Sequence, residues 1–268
     1  MKSAAARNGA LATDDHSLSS VRVAVSVSDH SSSRKARALA RNLGLPLVPI
    51  GEAAAYNYLL VWATDRLELR DNHSRRPLYV DLAWLSAQRG RRRISRRQPL
   101  ARAMGARTQN IVDATAGFGD DAFLLTAMGY RVIAVERSAV VAALLRDGVR
   151  RASKDKVLHE MLDRRLRIVT GDARDVLPRL RPRPDTIYVD PMFPPKRRRS
   201  ALAHKAVRVL RDLVGHDDDA PELLRVCLRR AKRRVVVKRP HYAPPLAFDP
   251  SASYTGKLVR YDVYIVKD

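Results

Sequence analysis

The sequence contains one cysteine and no long apolar run. Cys227 cannot form a disulfide framework by itself, and its apolar surroundings, LLRVCL, predict a buried structural thiol. No stretch of 18 apolar residues could span a membrane, and residues 1–20 lack the continuous apolar region of a secretory signal peptide. We therefore expect a cytoplasmic protein that does not bind membranes, with a flexible tail over residues 1–20.

Acidic residues are scarce relative to basic ones. The 268 residues include 51 Lys and Arg against 28 Asp and Glu, which gives a formal net charge of +23. This imbalance is costly through self-repulsion, and it favours a nucleic acid as the partner over a simple compositional bias towards arginine. The seven histidines show no metal-ligand spacing, so we expect no metal site.

Residues 21–100 have the pattern of a small α+β module. VRVAVSV alternates like a half-buried strand, SSRKARALARNLG predicts a capped helix that ends at Gly44, and YLLVWAT, LELR and PLYVDL are short strand candidates. The arginine-rich segment QRGRRRISRRQP follows over residues 88–99. Such a segment is either a solvated linker or a phosphate-binding surface, and we favour phosphate contact through Arg91, Arg92 and Arg93.

Strand and helix patterns alternate regularly over residues 101–268. NIVD, YRVIAVE, RLRIVT, DTIYVD, RRVVVKRP and VRYDVYIV predict strands, and DAFLLTAMG and SAVVAALLRDGVRRA predict helices. Strands that are separated by helices are joined by crossovers and lie parallel in one sheet. The sequence therefore predicts an α/β fold, a doubly wound, mainly parallel Rossmann-like sheet that follows the smaller N-terminal α+β module.

Acids and glycines stand at the ends of the first three strands of this predicted sheet. The first strand runs into a glycine turn with three acids: Asp113, Gly117, Gly119, Asp120 and Asp121. The second strand ends at Glu136, about twenty residues further on, where an acid can hydrogen-bond the ribose hydroxyls of a nucleoside. The third is followed by Asp172, where an adenine edge would lie.

These strand ends together predict a ligand cleft. Each acid alone could be a helix N-cap, but ligands of open α/β sheets bind at the carboxyl ends of consecutive strands. The glycine turn is acidic and lacks the G-x-G-x-x-G spacing of a pyrophosphate binder. A cationic sulfonium suits it better than a diphosphate, so we expect S-adenosylmethionine as the cofactor and disfavour a nicotinamide dehydrogenase.

The fourth strand ends in the stiff motif DPMFPP, residues 190–195. Pro191 fixes the turn, so its carbonyl and the Asp190 carboxylate could point at a substrate amine, and Phe193 offers a flat face for a base. A plain proline-rich turn is the alternative. Nearby cations either lie on ordinary exposed loops or bind RNA phosphates, as we predict for six of them: Lys196, Arg197, Arg198, Arg199, Lys238 and Arg239.

Several segments together resemble a known family. DPMF resembles the Asp/Asn-Pro-Pro-Tyr/Phe motif of methyltransferases that modify exocyclic amines. VDATAGFGDDAF, VIAVERSAVVAALLRDG, DPMFPPKRRRSA, RVVVKRPHYAPPLA and GKLVRYDVYIV together resemble the 16S ribosomal RNA guanine-N2 methyltransferase family, over nearly everything past residue 20. The resemblance implies cofactor contacts at these positions: Asp120, Asp121, Glu136, Arg137, Asp172, Ala173 and Asp190.

The resemblance also implies an activity, the methylation of a guanine N2 amine in 16S rRNA, either naked or within the small ribosomal subunit. At the position of Asp120 the family commonly has an arginine, so a contact there would run through the backbone. Two alternatives stay open. One is methylation of adenine N6 or another amine in DNA or RNA, and the other is a non-catalytic RNA-binding assembly factor on the same fold, against which the glycines, Glu136 and DPMF argue.

Overall fold

Two β-sheets organise the chain in the computed structural model, which describes residues 21–27, 33–71, 74–87, 94–192, 204–215 and 219–266. The predicted tail over residues 1–20 lies outside this range. Among the described residues, no helix has the length and apolar character needed to cross a membrane.

The first sheet belongs to the N-terminal module and has four strands: β1 (Val23–Val27), β2 (Tyr58–Trp62), β3 (Leu67–Asp71) and β4 (Ser74–Leu78). The strands lie in chain order, with β1 and β2 parallel and the other neighbours antiparallel. Helix α1 (Ser33–Leu43) and a 3-10 turn (Ile50–Ala55) connect β1 to β2, and the helix is followed by Gly44 at φ 65°.

The fourth strand differs from the sequence expectation, because PLYVDL only partly overlaps it. The chain leaves the sheet after Leu78, and Val80 packs instead against the helix α5 (Ala139–Ala152) of the following domain. A Cβ built on Gly148 of that helix would lie 2.5 Å from Val80 Cγ1. The close approach of Val80 therefore requires a glycine at position 148.

The second sheet has seven strands: β5 (Asn110–Asp113), β6 (Arg131–Glu136), β7 (Leu166–Thr170), β8 (Thr186–Val189), β9 (Arg234–Pro240), β10 (Ala252–Thr255) and β11 (Val259–Ile265). Their order is β10-β11-β9-β8-β5-β6-β7, and β5 to β9 are mutually parallel while β11 is antiparallel to both of its neighbours. The predicted doubly wound, mainly parallel sheet is confirmed. The polar edge strand β10 was not predicted.

Helices cover both faces of this sheet. Besides α1, which packs on the first sheet, and α5, the helices of the described chain are α2 (Ala83–Ala87), α3 (Pro99–Met104), α4 (Asp120–Ala127), α6 (Lys156–Arg165), α7 (Ala173–Arg179), α8 (His204–Val214) and α9 (Ala220–Arg230). Side chains of β6 alternate between two cores: Val132 and Ala134 face one core, and Ile133 and Val135 face the other. Burial on both faces explains the continuous apolar runs of these strands.

The N-terminal module shares the larger of the two cores. Val25, Leu60 and Leu69 of the first sheet belong to the same buried cluster as Leu144 of α5. The buried Asp147 of α5 also accepts a hydrogen bond of 3.0 Å from the Leu67 backbone N–H. The two sheets are therefore packed against each other through α5, while the predicted domain boundary near residue 100 stays a prediction.

Candidate active site

A cavity of about 610 Å³ lies at the carboxyl ends of β5, β6 and β8. β5 is followed in the chain by β6 on one side of it, while β8 flanks the other side, so this is the point where the strand order reverses. Open α/β sheets bind ligands at such a point, in sites of about 300–1,000 Å³. All ten residues that the sequence predicts to contact the cofactor line the cavity: Asp113, Gly117, Gly119, Asp120, Asp121, Glu136, Arg137, Asp172, Ala173 and Asp190.

The glycine turn after β5 has a backbone that other residues adopt at a cost. Gly117 has φ 53° and Gly119 has φ 86°, both in the left-handed region. A Cβ on Gly119 would also lie 2.5 Å from the ring of Phe123, which packs beneath the turn. The turn therefore brings its backbone close to the cavity while the following helix α4 packs on the sheet.

Glu136 ties the turn to the end of β6. Its side chain is almost fully buried, and Oε2 accepts the Gly117 N–H at 2.8 Å while Oε1 accepts the Ser138 N–H at 2.7 Å. Two backbone donors and burial hold this carboxylate in one orientation at the cavity wall. An acid so fixed can accept hydrogen bonds from a ligand's hydroxyl groups without reorganising.

Asp172 stands at the start of α7 and is held by an arginine. Its carboxylate accepts the Arg174 N–H at 2.8 Å, as an N-cap does, and pairs with the Arg174 guanidinium at 2.7 Å. Hydrogen bonding to Arg174 lowers the pKa of Asp172 below its usual value. The same guanidinium reaches Asp219 at 3.2 Å, and Arg137 also pairs with Asp219, at 3.1 Å. Sequence reasoning missed Arg174 and Asp219, because nothing local links the start of α9 to this cavity.

Asp190 occupies the end of β8 and is fixed through both its backbone and its side chain. Its N–H donates to Thr115 Oγ1 at 2.7 Å, and its Oδ2 lies 2.9 Å from Lys238 Nζ. The same ammonium contacts Asp121 Oδ2 at 2.7 Å, and that oxygen also accepts the Tyr188 hydroxyl at 2.6 Å. One lysine on β9 thus joins the acid of the glycine turn to the acid of the DPMF motif.

The charges of this cluster follow from its surroundings. Burial lowers the pKa of Lys238, but the charges of Asp190 and Asp121 outweigh it and hold the pKa above its ordinary value. Burial also raises the pKa of Tyr188, so its hydroxyl stays a donor. At the base of the cavity, burial raises the pKa of Asp113 well above the usual range. The cluster therefore combines a charged ammonium with a buried carboxyl that favours its neutral form.

Two of the residues that were predicted to bind RNA phosphates have other surroundings. Lys238 lies in the cavity as described, and Arg239 is 5% exposed and donates to the Pro244 carbonyl at 2.8 Å. Neither placement supports a phosphate contact. The other seven predicted phosphate contacts lie outside the described residues: Arg91, Arg92, Arg93, Lys196, Arg197, Arg198 and Arg199. Phe193, predicted to stack on the base, also lies outside them.

Three further parts of the wall were not predicted. Pro191 was expected at the site and lines it, but Met192 beside it, Tyr242 beyond β9 and one face of helix α8 were not named as site residues. Tyr242 is 53% exposed, which leaves an aromatic surface at the cavity mouth. Tyr242 lies in a turn directly after β9, and its position beside the cavity depends on the packing of β9 against β8.

The strand order, the glycine turn, the acid at the second strand end and the Asp-Pro motif define the chain as a Rossmann-like, S-adenosylmethionine-dependent methyltransferase. The SAM-dependent methyltransferase family model matches residues 40–266. The chain belongs to the family of ribosomal RNA small subunit methyltransferase J.

Relatives with that name support this assignment. One from Thioalkalivibrio sulfidiphilus is 44% identical over 257 residues, which cover 92% of this chain and 99% of the relative. One from Coxiella burnetii is 42% identical, over 87% of this chain and 92% of the relative. A solved SAM-dependent methyltransferase from Neisseria gonorrhoeae is 31% identical with a TM-score of 0.69, over 90% of this chain and 95% of that one.

Proposed function

We propose that this enzyme transfers a methyl group from S-adenosylmethionine to the exocyclic N2 amine of a guanine in 16S rRNA. The relatives are named for ribosomal RNA of the small subunit, and the guanine N2 target comes from the family that the sequence motifs resemble. The observation that carries the proposal is the edge formed by Asp190 and Pro191 at the end of β8, beside the cavity. A cytoplasmic location follows from such a substrate.

The cavity suits a positively charged nucleoside ligand. Besides Asp113, whose carboxyl favours its neutral form, its lining includes six acids against four basic residues: Asp120, Asp121, Glu136, Asp172, Asp190 and Asp219, with Arg137, Arg174, Arg211 and Lys238. Bound S-adenosylmethionine would supply an electrophilic methyl group on its sulfonium. In our proposal Glu136 holds the ribose hydroxyls of the cofactor, and Asp172 and Ala173 lie at the edge of its adenine. The Gly117–Gly119 backbone lies against the rest of the cofactor.

Asp190 and Pro191 would hold the target amine. The lone pair of guanine N2 is delocalised into the ring, so the nitrogen is a weak nucleophile and gains from hydrogen-bond acceptors that favour its pyramidal form. The Asp190 carboxylate and the Pro191 carbonyl are such acceptors, and they would offset the positive charge that develops on the nitrogen as the sulfur–methyl bond breaks. The products would be S-adenosylhomocysteine and the methylated amine, which releases one proton to water. Because Lys238 and Thr115 fix Asp190 from two sides, the amine would meet a pre-oriented acceptor.

RNA would approach from the open side of the cavity. Tyr242 presents an exposed aromatic ring at the mouth, and we propose that it stacks on the extruded guanine, together with Phe193. We also propose that Arg91, Arg92, Arg93 and the run Lys196, Arg197, Arg198 and Arg199 bind the RNA backbone. The chain has 51 basic residues against 28 acidic ones, and this imbalance supports an electrostatic contribution to RNA binding.

The test is methylation of small ribosomal subunits and of naked 16S RNA from a strain that lacks this gene, with labelled S-adenosylmethionine. We expect N2-methylguanosine at a single position, identified by mass spectrometry of the nucleosides. Asp190→Asn keeps the shape of the side chain but removes the carboxylate charge, and it should lower the rate by about 10²-fold or more. Affinity for S-adenosylhomocysteine, measured by calorimetry, reports whether the variant cavity is intact.

The same assay distinguishes the other candidate functions. Methyl incorporation into adenine N6 of duplex DNA or RNA would replace the guanine assignment. Cofactor binding without transfer to any RNA would indicate a non-catalytic assembly factor. An Asp190→Asn variant with the parental rate would show that the DPMF edge does not hold the amine.

A further inference from the structure

Helix α8 lies between the cofactor cavity and the first sheet. One of its faces lines the cavity: Ala206, Val207, Leu210, Arg211 and Val214. These positions recur with the helical period, so a continuous stripe of the helix forms the wall. Leu210 lies over the glycine turn, because a Cβ built on Gly117 would be 3.4 Å from Leu210 Cδ1.

The opposite face of α8 is attached to the N-terminal module. Arg208 Nη2 pairs with Asp71 Oδ2 of β3 at 2.6 Å, and Asp212 accepts a hydrogen bond from the hydroxyl of Tyr58 of β2. Lys205 donates to the Arg76 carbonyl of β4. Three successive strands of the first sheet therefore contact one helix through polar groups, at the helical spacing of 205, 208 and 212.

The two groups on the sheet side are well fixed. The Asp71 side chain is 3% exposed, and Tyr58 is 4% exposed within the sheet. Burial raises the pKa of Tyr58, and its hydrogen bond to Asp212 raises it further, so the hydroxyl stays a donor at any working pH. The sheet thus presents one fixed acceptor, Asp71, and one fixed donor, Tyr58, to α8. This helix has 11 residues, and a helix of that length depends on tertiary contacts for its stability.

We propose that Asp71 and Tyr58 are positioning residues for the cofactor cavity: by fixing α8, they set the affinity of the cavity for the adenosyl cofactor. Neither residue lines the cavity, and both act through the helix. Leu210 and Val207 reach the cavity only while α8 stays against the first sheet. Residues of the N-terminal module therefore contribute to cofactor binding in the other sheet, and any ligand that moves this module also changes the cavity.

The experiment measures the dissociation constant of S-adenosylhomocysteine by calorimetry for Asp71→Asn, Tyr58→Phe and Arg208→Gln in the full chain. We expect each change to weaken binding on the order of 5-fold or more, which is the lower end of typical coupling between two sites. The expected effect is small because the Arg208 side chain is 55% exposed, and solvent weakens its ion pair. Glu68→Gln is the matched control. Glu68 is a buried acid on the same strand, and its oxygens pair with Arg66 and Arg70 rather than with α8.

The control distinguishes positioning from a general loss of stability. We expect Glu68→Gln to bind S-adenosylhomocysteine within about twofold of the parent, even where its unfolding midpoint falls as far as that of Asp71→Asn. The double variant Asp71→Asn with Arg208→Gln should bind no more weakly than either single change, since both remove one contact. Steady-state kinetics should show a raised KM for S-adenosylmethionine with an unchanged KM for RNA.

Two results would overturn the proposal. One is parental affinity in Arg208→Gln and Tyr58→Phe, which are mild substitutions that need not unfold the protein. The other is an equal loss of affinity in Glu68→Gln, because that residue does not contact the helix. Either outcome leaves the proposed RNA substrate untouched, since S-adenosylhomocysteine binding is measured without RNA.

Discussion

Lys238 is the residue for which the structure and the sequence make opposing predictions. Its ammonium lies 2.7 Å from Asp121 Oδ2 and 2.9 Å from Asp190 Oδ2, and its side chain is 24% exposed. The sequence predicts that it contacts RNA phosphates. The geometry predicts that it fixes the acceptor which holds the target amine. Lys238→Met separates the two, because it removes the charge and keeps most of the side-chain volume.

The size of the expected effect follows from the two carboxylates that Lys238→Met leaves without a cation. Two carboxylates, 19% and 35% exposed, would face each other without the ammonium between them. Their repulsion moves Asp190 away from its place, and a displacement of about 1 Å of a positioning group costs about 10² in rate. The loss of stability should be about 2 kcal/mol, less than for a fully buried pair, because water reaches all three groups.

The assay is steady-state methyl transfer to the RNA substrate, at several salt concentrations. Lys238→Met should lower kcat about 10²-fold with little change in the KM for RNA, and Lys238→Arg should recover part of that loss by restoring the charge. Lys232→Met is the control for the loss of one cation, because Lys232 is exposed and lies two residues before β9 begins. A parental kcat, with a raised KM for RNA and a salt slope reduced by about 0.7–0.9, would refute positioning and support phosphate contact.

Two further changes test the glycine turn and the buried acid. Gly119→Ala should destabilise the protein by about 3 kcal/mol in urea unfolding, because the new Cβ would lie 2.5 Å from Phe123 at φ 86°; Gly44→Ala, at φ 65° with nothing within 4 Å, should cost only about 1 kcal/mol. An equal cost at both sites would contradict the packing argument. Asp113 has a raised folded-state pKa, so folding takes up a proton and the stability that the neutral carboxyl provides falls as pH rises above about 4. Asp113→Asn should therefore gain stability relative to the parent between pH 5 and pH 8, on the order of 1 kcal/mol, and an unchanged difference across that range would refute the burial argument.

The strands of the large sheet were predictable because each has a local signature. β6 reads RVIAVE, and its residues are apolar on both faces because both faces are covered. β10 has no such signature, since ASYT is a short, half-buried edge strand that pairs only with β11. Its existence depends on the hairpin with β11. A strand that is buried on both faces has a recognisable apolar pattern in the sequence, whereas a strand that is held only by pairing with one neighbour does not.

The cofactor cavity was predictable for a topological reason. Parallel strands place their carboxyl ends at one edge, so Asp113, Glu136 and Asp190 had to come together once the strands were recognised. Contacts between distant segments were not predictable in this way. Two examples are the Arg174–Asp219 ion pair and the Tyr58–Asp212 hydrogen bond. In each of them no local sequence pattern identifies the partner residue.

The contact between Lys238 and Asp190 is intermediate in how far the sequence predicts it, because it follows from the register of two strands alone. Val189 of β8 is paired with Val237 of β9, so the next residue of each strand, Asp190 and Lys238, lie side by side where the sheet ends. A slip of one residue in either direction would turn Lys238 to the other face, and would place Val237 or Arg239 opposite Asp190 instead. Val235 and Val237 on one face and Val236 on the other are all buried, so either slip would place charged neighbours in the core. The same apolar pattern that fixes the fold therefore fixes the ion pair at the proposed amine-binding edge.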